Sequence, residues 1–187
     1  MQNFLESAQK QFAYYRILGD KTFTQLEDED LFKPLDSNNN SIAVIVNHLS
    51  GNMLSRWTDF LTSDGEKEWR ERDKEFENII NTEQDLILAW NKGWDCLEHA
   101  LKQIDESNAD TTIYIRNQGH SITEAVNRQL CHYAYHVGQI VLIGKHFKGD
   151  QWQSLSIAKG NSVAYNTNKF KQEKRDTHFT DEYLDPS

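Results

Sequence analysis

A chain of 187 residues with 37% hydrophobic residues has room for one domain with a core and little room for two. Five Trp, seven Tyr and nine Phe supply bulky anchors that exclude a disordered chain. The formal net charge of −9, with no basic block, excludes an electrostatic grip on nucleic acid or anionic lipid.

The opening residues Met1, Gln2, Asn3 and Phe4 carry neither a basic n-region nor an apolar h-region. Apolar runs such as residues 140–143 are too short to span a membrane. Cys96 and Cys131 lack Cys-x-x-Cys spacing and read as reduced thiols. A cytoplasmic chain acting on a small molecule, with neither nucleic acid nor membrane as partner, is the expectation.

Taken in order, Phe4, Leu5, Ala8, Phe12, Tyr15, Leu18 and Phe23 recur at helical spacing and predict a first helix over residues 3–26. Pro34 and the polar cluster 36–41 break the pattern and offer an N-cap. A second helix follows over 42–61, its seam made by Ile42, Val46, Leu49, Met53, Trp57 and Phe60. Residues 62–81 are charged and without a stripe. They read as an exposed connection with a helical turn near Phe76.

Thr82 and Asp85 resemble a capping box and open a third helix to about 107. Thr111, Thr112, Ile113, Tyr114 and Ile115 form an extended linker or small hairpin, with a turn at 117–119. Ser121 and Glu124 form a full capping box and start a fourth helix that runs to about 147, stopped by Gly149. Residues 151–187, including Pro186, are a polar C-terminal extension that packs on the body or stays partly disordered, with a helical stretch near 166–174. The fold expected is all-α: a four-helix bundle over 1–150 with one long crossover connection.

Within the fourth helix stand His132 and His136, four residues apart, with Gln139 three further on. That spacing puts both imidazoles on one helix face about a turn apart, at the edge of the apolar arc of Ile122, Val126, Tyr133, Val137 and Ile140. Two readings of the pair are open: two ligands of one metal ion, or boundary histidines hydrogen-bonded to neighbouring helices. His48 flanks the second helix's seam and is the candidate third ligand, although a flanking histidine is more often a surface residue. His99, His120, His146 and His178 read as solvent-facing or local hydrogen-bonding residues.

A flanking histidine in the second helix followed by His-x-x-x-His-x-x-Gln in the fourth resembles the DinB/YfiT-like metalloprotein superfamily. The ending Trp152-Gln153-Ser154-Leu155-Ser156-Ile157, then Lys159-Gly160, is similar to a little-characterised branch of it with no assigned function. The resemblance covers nearly the whole chain and rests on the order and spacing of elements. It implies a homodimeric four-helix bundle with a long crossover connection, and a divalent metal, zinc or nickel, held by His48, His132 and His136. Members often carry Arg or His immediately before the Gly-Gln; this chain has Val137 there.

Three neutral imidazoles leave such an ion its full charge and an open position, which stabilises an anionic nucleophile or polarises a carbonyl. Better-known relatives imply activation of a low-molecular-weight thiol, hence a metal-dependent thiol S-transferase whose thiolate attacks an electrophile. Gln139 and, more weakly, Asn52 are the candidates for orienting a bound ligand. The alternatives are metal-assisted hydrolysis, which calls for a carboxylate base beside the ion, and a non-catalytic, dimeric metal- or small-ligand-binding protein.

Overall fold

The computed structural model describes residues 2–184. It is predominantly helical, with 59% of residues in helices. The four long helices are α1 (Gln2–Phe23), α2 (Ile42–Trp57), α3 (Glu83–Leu101) and α4 (Ile122–Lys148). A small antiparallel hairpin, β1 (Thr112–Ile115) and β2 (Gln118–Ser121), sits between α3 and α4, and two short helices, α5 (Ser162–Phe170) and α6 (Asp181–Leu184), follow. Among the described residues no helix is long and apolar enough to cross a membrane.

Helix starts follow the capping residues. Ser41 accepts from the Val44 N–H at 3.2 Å, and Thr82 accepts from the Asp85 N–H at 3.1 Å. Ser121 and Glu124 close a reciprocal box, satisfying two donors that a helix end otherwise leaves bare. Helix ends depart from the apolar pattern. α2 stops at Trp57 and does not reach 61, because Thr58 turns extended and Asp59 takes φ 47°. Phe60 still reaches the core from the turn that follows. α3 stops at Leu101, where the Asp105 carboxylate captures the Ser107 N–H at 2.8 Å and Asn108 bonds the Gln103 carbonyl.

α1 packs along α4 and α2 along α3, with one apolar core between them. Its centre is aromatic: Phe12, Trp94 and Tyr133 meet with ring centroids 5.8–6.5 Å apart. The Tyr133 hydroxyl accepts from Trp57 Nε1 at 3.0 Å and donates to Asn52 Oδ1 at 3.2 Å, so it is paired on both sides, whereas the buried Trp94 Nε1 beside it has no partner. Val137 is part of the same core, which removes it from the site.

The connection 62–81 is not simply exposed. Asp64 accepts from the N–H groups of Arg116 and Asn117, the two left-handed residues of the hairpin turn, at 2.8 Å each. The turn is thus at 116–117 and not at 117–119, so Gly119 and His120 lie in β2. A 3₁₀ turn at Arg72–Phe76 then lays Glu75 and Phe76 on α2. In the C-terminal segment, α5 lies at 162–170, earlier than the stretch near 166–174, and the chain returns to α1. His178 bonds Ser7 at 3.0 Å and Asp181 pairs with Lys10 at 2.9 Å. Pro186 lies outside the described residues.

Candidate metal centre

His48 on α2 and His132 and His136 on α4 converge, each offering a ring nitrogen, with these atoms all within 4.8 Å of one another. His48 Nε2 and His132 Nε2 face each other at 3.4 Å. That is the edge, about 3.4 Å, of a tetrahedron with metal–nitrogen bonds of about 2.0–2.1 Å. The i, i+4 spacing of His132 and His136 accounts for their half of the cluster. α2 supplies the other half by burying His48, which is 4% exposed, where a flanking surface position was the plain expectation.

The outer nitrogens of His48 and His136 are tied back. His48 Nδ1–H donates to Glu75 Oε2 at 2.9 Å, and His136 Nδ1–H donates to Gln139 Oε1 at 2.7 Å. Each bond sets the tautomer that leaves Nε2 with a free lone pair turned to the cluster. Gln139 therefore acts on a histidine ring. Asn52, one turn beyond His48, lines the cavity beside the cluster while its carbonyl accepts from Tyr133.

Protonation matches this arrangement. Burial, then the neighbouring His136 and His48 rings, push the His132 pKa from 6.5 down to about 3. Burial also lowers His136, with the Gln139 hydrogen bond opposing. Burial alone would raise Glu75, but its hydrogen bonds from His48 and Arg70 outweigh that and hold it below its ordinary value. The cluster thus presents neutral imidazoles of His132 and His136 at neutral pH, the form a divalent cation takes up. The donor set, its spacing and its protonation fit a three-histidine metal centre.

Spacing did not point to Glu75, one acid among many in the charged stretch before α3. It seats directly on α2 at Gly51, where a Cβ would lie 2.5 Å from its Oε1. Arg70, with 2% of its side chain exposed, grips the same carboxylate through two bonds of 2.6 and 2.8 Å. Phe76 stacks on the His48 ring at 4.7 Å between centroids. Gln129, buried and lining the cavity, was also missed, although its place one turn before His132 on the same helix face was legible. His99 and His146 are exposed, His120 neighbours Arg128, and His178 serves the α1 contact, all apart from the cluster.

A family model described as "Protein of unknown function (DUF1572)" matches residues 1–161. No curated protein and no solved structure matches the chain.

Proposed function

Since the chain belongs to the family of proteins of unknown function DUF1572, we propose that it is a divalent-metal-dependent enzyme of the DinB/YfiT-like type, built on a four-helix bundle with a long crossover. The observation that carries this reading is the convergence of His48, His132 and His136, with Glu75 and Gln139 behind two of the rings. A bound zinc or nickel ion would supply a Lewis acid that favours the anionic form of a thiol or water at neutral pH.

The chain's own residues favour a thiol S-transferase over a hydrolase. The carboxylate nearest the cluster, Glu75, is committed to His48 and to both arms of Arg70, so it is not free to take a proton from an attacking water. The three histidines would hold an ion that favours the thiolate of a low-molecular-weight thiol, whose sulfur would displace the leaving group of an electrophile, with the thiol proton lost to solvent and no covalent protein intermediate. Homodimerisation is part of the proposal: Tyr135, Gly138 and Leu142 form an exposed stripe on α4, with Tyr135 62% and Leu142 61% exposed.

Metal analysis of the purified protein beside His48→Ala and His132→Ala tests the centre. One bound ion per chain in the wild type and a loss of most of it in either variant is expected; full occupancy in both overturns the centre. A thiol-conjugation assay with a generic electrophile, run against an ester substrate on metal-loaded protein, then separates transferase from hydrolase. Inactivity in both leaves the metal-binding reading as the better one.

A further inference from the structure

The cavity over the histidine cluster, about 400 Å³, is lined by five arginines: Arg56, Arg70, Arg72, Arg116 and Arg128. That is the size of a metabolite site. Arg56 and Arg70 form its buried floor, and Arg72, Arg116 and Arg128 stand exposed at its mouth. No carboxylate lines it among the described residues. The acids behind it are spent on the floor and on one rim residue: Glu75 binds Arg70, and Glu66 is shared by Arg56 at 2.9 Å, Arg70 at 3.3 Å and Arg116 at 3.2 Å.

Arg72 and Arg128 have no acidic partner among the described residues. Arg72 lies over the Phe76 ring at 5.4 Å, and Arg128 has His120 at 3.4 Å. A chain of net charge −9 thus concentrates uncompensated guanidinium charge in one concave place.

We propose that the ligand of this site is a small anion whose carboxylate or phosphate group is held by Arg72 and Arg128. The planar forks of the two arginines suit such oxyanions. The inference rests on the metal-centre reading only for where the reacting end of that ligand lies; the anion contact stands without an ion.

Titration calorimetry of the chelator-stripped, full-length protein tests it, with inorganic phosphate, malonate and uncharged malonamide as probes. Phosphate or malonate is expected to bind, malonamide is not, and added salt should weaken the anion. The double variant Arg72→Ala/Arg128→Ala should lose at least tenfold in affinity; both side chains are exposed, and a thermal melt checks that the fold is kept. Tighter phosphate or tighter malonate decides which oxyanion is preferred.

No anion binding, equal binding of malonamide, or unchanged affinity in the double variant overturns the proposal. Because the protein is stripped of metal, failure here is separate from failure of the metal analysis above.

Discussion

Glu75 is the residue on which the orientation of His48 depends. Its carboxylate takes the Nδ1 proton of His48 on one side and both arms of Arg70 on the other. Glu75→Gln keeps the volume but removes the charge that stabilises a cation-bound imidazole and compensates the buried guanidinium. A drop of roughly 10–100-fold in metal affinity is expected, measured by competition with a chromophoric chelator. An unchanged affinity would mean that His48 is held by packing against Phe76 alone.

At the scale of elements, α4 carries two of the three histidines, and its start is set by local chemistry. The Ser121 side chain accepts from the Glu124 N–H at 3.2 Å while Glu124 reaches back to the Ser121 N–H at 2.8 Å. Ser121→Ala removes one side of that exchange and should cost about 0.5–2 kcal/mol in urea denaturation. Metal content should stay at the wild-type level, since His132 and His136 lie in the middle of the helix. The hairpin before it acts on the site as well. Asp64 clamps the two positive-φ residues of its turn, and Arg116, one of them, is thereby placed at the cavity's mouth.

For the whole molecule, the buried histidines tie stability to pH. In the unfolded chain His132 titrates near 6.5, and in the fold near 3. Between those values the unfolded chain binds a proton that the folded one refuses, so stability falls as pH drops below 6.5 and is intact above it. His136, also lowered, adds with the same sign. Glu75, held below its ordinary value, contributes stability that is lost as the pH falls further, through its folded pKa. Thermal melts of the metal-free protein should show the midpoint falling by roughly 3–5 °C per pH unit below 6.5 on account of His132. His132→Asn should flatten that slope.

Helical spacing and capping residues made the four long helices, their order and the capped start of α4 legible, because both are local properties of the chain. The same spacing identified His132 and His136 as a pair on the edge of an apolar face. His48 was legible only as a flanking candidate, joined to the pair by a family resemblance. What brought its ring to theirs was the packing of α2 and α4, a contact between residues far apart in sequence. Glu75, Arg70 and Arg72 come from a charged stretch with no period, and the cavity's other arginines, Arg56, Arg116 and Arg128, come from three separate elements, so no local pattern could announce the cavity. Their positions follow from a turn folded back onto the bare backbone at Gly51 and from ion pairs closed across the chain. Local periodicity determined the helices and the histidine pair; tertiary packing decided the third histidine and the charge of the pocket around it.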